Sequence, residues 1–451
     1  MSETSSKTFD LLVRGGRCVT PGGVVDADVG IRGGRIAAIG ALGAASAAEE
    51  IDASGLHVLP GLIDTQVHFR EPGLEYKEDL GTGTAGAALG GITAVFEMPN
   101  TKPSTLTHDD LADKVARGRA KGWTDFAFFI GASAENVDQL GAIEQDEGCC
   151  GVKIFMGSST GSLLVDDPEV LEQVLRKGRR RVAVHCEDEA RMTERWPLTQ
   201  VDGVTAHVHP VWRDEQTALI ATTRLLEVAR QAGRRVHVLH VTTASEMELL
   251  RHHKDIATVE VTPQHLTLHA PDCYDRLGTY AQMNPPVRGA EHKAALWRAL
   301  NAGVVDVIGS DHAPHTRAEK DLPYPRSPSG MPGVQTTVPL MLDHVHHGRL
   351  SLLRVVDLLA HGPNRIYNIA GKGRLVLGYD GDLTLVDLAE TREVTDDWIA
   401  SRSGWSPFTG MRLTGWPVAT IIRGRVVMRD GELLGAPGGQ PVRFQDTLPA
   451  A

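Results

Sequence analysis

Four polar side chains at alternate positions, Asp64, Gln66, His68 and Arg70, follow the apolar start Pro60-Gly61-Leu62-Ile63 and precede a break at Pro72-Gly73. On a β-strand, alternate side chains share a face. A metal-competent imidazole and a cation would then emerge together at the end of a buried strand, as at the lip of an active site. A two-histidine metal grip would place His at 66 as well as 68, and position 66 is Gln.

Similar endings recur. Val182-Ala183-Val184 runs into His185-Cys186-Glu187, Val236-His237-Val238-Leu239 into His240, and Ile308-Gly309-Ser310 into Asp311-His312-Ala313-Pro314-His315. With 19 histidines in the chain, any single one is more readily structural than catalytic. Several at the same end of successive strands point to a metal. Neutral imidazoles with a carboxylate suit Zn²⁺ or a similar divalent ion. Lys153, inside Gly151-Val152-Lys153-Ile154-Phe155, is the odd member because an ammonium repels a cation. Burial in an apolar strand disfavours its charged form. A neutral amine takes up CO₂ to give a carbamate (N6-carboxylysine), which is anionic and can bridge two metals. A snorkelling or ion-paired lysine is the plainer alternative. Asp311 is then the natural general base, taking a proton from a metal-activated water and returning it to a leaving nitrogen.

These groups need strands to hold them. Strand candidates fall at 62–68, 92–98, 126–131, 151–156, 181–186, 236–241, 257–262 and 304–310. Helical stretches lie between most of them, for example Asp109–Ala120, Pro168–Lys177, Asp214–Gln231 and Ala244–His253. Eight strands with intervening helices imply an α/β fold of the (β/α)₈ TIM type, with catalytic groups at the C-terminal strand ends. A doubly wound sheet is the alternative, but no Gly-rich phosphate fingerprint follows the first strand. Short strands also occupy Phe9–Ile36, where Gly15-Gly16 and Gly33-Gly34 read as hairpin turns. The same texture returns at Leu383–Asp387 and Ala419–Val427. The two ends are expected to form a small β-sandwich domain from residues 1–58 and 369–451, with the barrel, 59–368, inserted between them. The alanine-rich stretch Ala41–Ala48 reads as a surface loop.

Of the 451 residues, 41% are hydrophobic, enough for a large core, and the net charge is −11. That charge argues against nucleic acid or an anionic membrane and for a small-molecule substrate. No apolar run of about 18 residues is present to span a membrane. Met1–Lys7 lacks the apolar core of a signal peptide. The five scattered cysteines fit a reducing cytoplasm better than a disulfide framework.

Taken together, Asp64–Gly73, Met98-Pro99-Asn100-Thr101, Gly151-Val152-Lys153, Met283–Arg288, Asp311–His315, Gly330-Met331-Pro332-Gly333 and Ser403–Phe408 resemble the cyclic amidohydrolases. Within them the resemblance is strongest to the dihydroorotase branch, over nearly the full length. It implies reversible, metal-dependent opening of dihydroorotate to N-carbamoyl-L-aspartate in pyrimidine synthesis. It also implies that His68, Lys153 and Asp311 hold one metal, and Lys153, His185 and His240 a second. Arg70, Asn100 and His315 match positions that bind the substrate's carboxylate, with Asn284 a further contact. A planar guanidinium is well shaped for that role, unless Arg70 is consumed by an ion pair with Glu71 or Glu97. Family members commonly form dimers or larger assemblies, so a homo-oligomer (dimer or tetramer) is expected.

Gln66 departs from the pattern. An amide oxygen is a weaker donor than imidazole toward zinc-like ions. The position beside His68 and Asp311 is therefore expected to bind metal weakly or not at all, and the one held by His185 and His240 tightly. Hydrolysis of allantoin, hydantoin or another cyclic ureide is the alternative activity, and a catalytically silent scaffold the alternative of a different class. The Gly330–Gly333 loop could cover the substrate, and the Trp405–Phe408 tail is expected to pack on the barrel. His312 is expected behind the metal ligands, His237 and His265 to be structural, and Cys186 to face away from the site.

Overall fold

The computed structural model describes residues 8–158 and 163–448; the stretch Met1–Lys7, read above as lacking a signal-peptide core, lies outside them. Eight parallel strands run in chain order around one sheet: Leu62–Val67, Ile92–Glu97, Asp125–Gly131, Cys149–Phe155, Val182–His185, Val236–Val238, Ala257–Val261 and Val307–Ile308. A bridge from Val67 to His312, with the His68 N–H donating to the His312 carbonyl at 2.7 Å, joins the first strand to the segment after the eighth. The barrel therefore closes at the place where the candidate groups gather. Every residue of the first four strands is buried, as expected for parallel strands covered on both faces.

The helices expected between the strands are present and begin at side-chain caps. Helix His108–Lys121 carries a Thr107/Asp110 capping box, Pro168–Arg176 starts at Asp167, Glu215–Ala232 at Asp214, and Ala244–Arg251 at Thr243. Each cap satisfies an N–H group that the helix itself cannot.

Both chain ends meet in a second, mixed sheet of nine strands. Its order is Glu432–Leu433, Arg425–Arg429, Arg412–Ile422, Leu383–Glu393, His57–Pro60, Phe9–Thr20, Gly23–Arg32 and Arg35–Gly40, with Ala47–Asp52 branching from Phe9–Thr20. Its own core includes Leu11, Val29, Ile51, Leu383, Leu385 and Ile421. Gly33-Gly34 makes the expected turn. Gly15-Gly16 does not: it lies inside Phe9–Thr20, where the pairing register shifts between Val13 and Gly16. A Cβ on Gly16 would come within 2.4 Å of Val58, so this bulge needs glycine for close approach. Similarly, Ala47 and Ala48 open a strand and are not part of the loop expected at 41–48.

A buried charge cluster ties the N-terminal end of the barrel to the terminal sheet. The Lys372 ammonium lies 2.6 Å from Asp125 and Asp382 and 3.1 Å from Asp380, and Arg423 also pairs with Asp125. Trp405, on the C-terminal segment, packs on the barrel as expected, its indole N–H donating to the His315 carbonyl at 2.8 Å.

Candidate active site

Two strands stop two or three residues short of the ends that the sequence suggests. The sixth ends at Val238 and the eighth at Ile308, and just beyond them His240 and Asp311 take positive φ (37° and 45°). Arg70, three residues past the first strand, does the same at 66°. Left-handed backbone at non-glycine residues costs of order 1 kcal/mol each and persists only where the surroundings hold it. Here it turns three functional side chains out of the strand direction. The alternation from Asp64 to Arg70 is accordingly not one continuous strand face. Gln66 and His68 follow it, and Arg70 reaches the same cavity from a turn. Asp64 stays below, its Oδ1 accepting from the Ser310 and Gln66 N–H groups.

One cavity of about 380 Å³ is lined by Gln66, His68, Arg70, Asn100, Lys153, His185, His240, Asn284 and Asp311 together with Phe155, Ala313, Ser329 and Gly330. Every residue named from the sequence for this site lines it except His315, which stands behind Arg70, 3.3 Å from its guanidinium. Gly330 does line the cavity. Its φ is 137°, and a Cβ there would sit 2.4 Å from the Ala313 carbonyl, so only glycine allows this loop to lie so close.

The polar contacts fix which nitrogen each histidine presents. His185 Nε2 is 2.9 Å from the Glu187 carboxylate, which can only accept, so Nδ1 carries the lone pair. That Nδ1 lies 3.1 Å from His240 Nε2, and His240 Nδ1 is buried without a hydrogen-bond partner. On the other side, His68 Nδ1 is 2.6 Å from Asn100 Oδ1, and His68 Nε2 is 3.2 Å from Asp311 Oδ1. With Nδ1 donating to the amide oxygen, the Nε2 lone pair faces a carboxylate oxygen, an arrangement that wants a cation between them. Two ligand atoms about 2.0–2.1 Å from one tetrahedral ion are roughly 3.3 Å apart. Both separations fit that spacing.

Among the described residues, no three His, Cys, Asp or Glu side chains form a ligand set by themselves. Lys153 is what would complete either pair. Burial pushes its ammonium down to about 7, against the pull of Asp311 and Glu260, and its Nζ lies 4.5 Å over the Phe155 ring. Gln66 lends its amide N–H to Asp311 Oδ1 at 3.1 Å, while its Oε1 is buried without a hydrogen-bond partner. The donor set therefore suits a divalent ion, with Gln66 the exception.

Arg70 is not consumed by the acids beside it. Glu71 is held by Arg117 and Lys121, and Glu97 by Lys114. Arg70 donates through Nε to the Pro314 carbonyl at 3.2 Å and is 4% exposed. Burial pulls its guanidinium down to about 10.

Several supporting residues escaped the sequence reading. Arg213 clamps Glu187 with contacts of 2.6 and 3.1 Å, holding the carboxylate that orients His185. Burial alone would raise Glu187, but Arg213 and His185 hold it well below the usual carboxylate range. Glu187 is two residues beyond His185, just past the end of the strand, and that spacing was its signal. His209 binds the Asn284 amide oxygen at 3.0 Å from an excursion no periodicity marks. His312 sits behind the site, its Nδ1 accepting from the Gly333 and Val334 N–H groups. His237 and His265 make contacts away from the cavity, to Thr258 and to Thr262 and Pro285. Cys186 packs in the apolar core, apart from the cavity lining.

The closed barrel and the polar cluster on its C-terminal rim define a barrel hydrolase. The chain belongs to the amidohydrolase family, whose profile matches residues 57–427. It is 36% identical to a dihydroorotase of Halobacterium salinarum over 92% of this chain and 96% of that one. It is 34% identical to an allantoinase of Deinococcus radiodurans over 97% and 99%. Among solved structures, the L-hydantoinase from Arthrobacter aurescens superposes with a TM-score of 0.91 at 31% identity, covering 96% of this chain and 99% of that one.

Proposed function

We propose that this cyclic amide hydrolase is a dihydroorotase, opening (S)-dihydroorotate reversibly to N-carbamoyl-L-aspartate in UMP synthesis. The observation that carries the reading is Arg70: a buried guanidinium on the cavity wall, with the neighbouring carboxylates already paired to other cations. Dihydroorotate brings a carboxylate to such a group; hydantoin and allantoin do not. Dihydroorotases among the relatives, at 34–36% identity over most of the chain, support the same choice.

His185, His240 and a carboxylated Lys153 would hold one divalent ion, and His68, Asp311 and Lys153 a second, weaker one. Zinc is the ion that this donor set favours. Such an ion lowers the pKa of water and polarises the ring carbonyl. The chain's own part is positioning and proton transfer. Arg70, His315 and Asn284 would orient the substrate, and Asn100 would set the tautomer of His68. Asp311 would take a proton from the attacking water and hand it to the ring nitrogen as the C–N bond breaks. Gln66, donating to Asp311 Oδ1, leaves the other oxygen to act as base.

Turnover assays with dihydroorotate, allantoin and hydantoin test this reading. Dihydroorotate should be preferred by kcat/KM. Brisk allantoin or hydantoin hydrolysis with none of dihydroorotate would overturn it, and the relatives named above make those the next activities to try. Inertness on all three in metal-loaded protein would favour a silent scaffold instead.

A further inference from the structure

Behind Arg70 lies a row of polar groups, His315, Lys77 and Glu319, of which the proposed mechanism uses only His315. His315 Nδ1 is 3.0 Å from the Lys77 ammonium, and Lys77 pairs with Glu319 at 2.8 Å. On the opposite ring edge, His315 Nε2 is 3.0 Å from the Ser329 carbonyl and 3.3 Å from the Arg70 guanidinium. An ammonium only donates, so Nδ1 must accept; a carbonyl only accepts, so Nε2 must carry the proton. The ring is thereby set in one tautomer and one orientation. Two cavity-lining residues, Arg70 and Ser329, flank the edge that bears the proton. Arg70 and His315 Nε2 are then both donors, 3.3 Å apart, with no lone pair between them for the guanidinium to bond. The Ser329 carbonyl takes the His315 proton, and the guanidinium, offered no lone pair by the ring, turns to an anion in the cavity.

We propose that Lys77 is a positioning residue, which with Glu319 locks His315 with its Nε2–H on the Ser329 carbonyl and no lone pair turned to Arg70, so that the guanidinium is left for the substrate's carboxylate. This rests on the dihydroorotase reading for the identity of the anion, but the locking itself does not. The four side chains come from two distant parts of the chain. Lys77 follows the first strand, Arg70 occupies the turn before it, and His315 and Glu319 come after the eighth. Their contacts therefore reflect the closed barrel and not local sequence. Burial, together with the cations Arg70, Lys77 and Lys320, keeps His315 well below its ordinary range, so it acts as a neutral donor.

The test uses Lys77→Met, which keeps the stem and removes the donor, and Lys77→Gln, which restores an N–H. Long-range ¹H–¹⁵N correlation spectra of the histidine-labelled full chain report each ring nitrogen, with His315 assigned by its loss in His315→Gln. In the native protein, His315 should be protonated at Nε2 with a hydrogen-bonded Nδ1. In Lys77→Met the Nδ1 signal should move to the position of an unbonded nitrogen, and in Lys77→Gln largely return. An unmoved Nδ1 signal in Lys77→Met overturns the proposal, whatever the substrate proves to be. In kinetics, Lys77→Met should raise KM for dihydroorotate about tenfold with kcat held within about twofold, the effect of one lost charge-assisted hydrogen bond. Lys77→Gln should recover most of it. A parallel fall of kcat on dihydroorotate and on any neutral ureide the native enzyme accepts would mean general disruption and overturn the positioning role. Failure of the native protein to turn over dihydroorotate would instead sink the function proposed above, leaving the ring spectra to decide on Lys77. If Lys77→Met does not fold, Glu319→Gln, which frees Lys77 from its partner, should shift the same Nδ1 signal; no shift there would count against the lock.

Discussion

Replacing Arg70 by Met is the sharpest test of the substrate assignment, because it removes the charge while keeping much of the apolar stem. One of the five guanidinium N–H groups is engaged, by the Pro314 carbonyl at 3.2 Å, and the tip is free to meet a carboxylate. A bidentate carboxylate contact consists of two charge-assisted hydrogen bonds of about 1.5–3 kcal/mol each. Arg70 is 4% exposed, so the abandoned carboxylate would also lie against a buried wall that no longer carries a cation. Removing one partner of a buried pair costs about 3–5 kcal/mol, which is roughly 10²–10³·⁵ in kcat/KM. Steady-state kinetics on dihydroorotate should show a loss of that size, while any slow turnover of hydantoin changes by less than about threefold. Metal content should be native. Equal losses on charged and neutral substrates, or loss of metal, would refute a carboxylate-binding role for Arg70.

Lys153→Ala should lose most bound metal by elemental analysis, and a short carboxylic acid should restore part of it; unchanged metal content would exclude the bridging role. Gln66→His should raise metal stoichiometry at the position beside His68 and Asp311, and full occupancy of both positions in the native protein would show that Gln66 is no handicap. Lys372→Met leaves three buried carboxylates facing one another and should cost about 3–5 kcal/mol, measured by urea denaturation at neutral pH. The same cluster sets a pH dependence. Burial alone would raise Asp125, but Lys372 and Arg423 outweigh it and hold it below its ordinary 3.8. A carboxylate depressed in the folded state adds stability above its unfolded pKa and loses it as pH falls through the folded one. Native stability should therefore drop below about pH 4, and Asp125→Asn should flatten that part of the curve; an unchanged slope would remove Asp125 from the account.

The elements were legible because each is written locally. Continuous apolar runs with polar ends mark the barrel strands, and Thr107, Asp167, Asp214 and Thr243 announce the helices as caps. The pairing of Leu383–Glu393 with His57–Pro60 was legible only as a shared texture at the two chain ends. Gly15-Gly16 misled because a Gly-Gly pair serves a bulge as well as a turn. Which it serves depends on Val58 pressing against the strand, a contact from elsewhere in the chain.

For the site, the sequence by itself determined which chemistry was on offer: imidazoles, an aspartate and an arginine just past strand ends, because apolar runs that stop at polar residues must place them on a barrel rim, and a lysine inside an apolar strand. It also exposed Gln66 as the departure. Tertiary structure alone decided what those residues face. The tautomers imposed by Asn100 and Lys77, the clamp of Arg213 on Glu187, and the diversion of Glu71 and Glu97 to other cations all depend on groups tens to hundreds of residues away. Hydrogen bonds and ion pairs act over a few ångströms in space, and only closing the barrel brings those partners within that range.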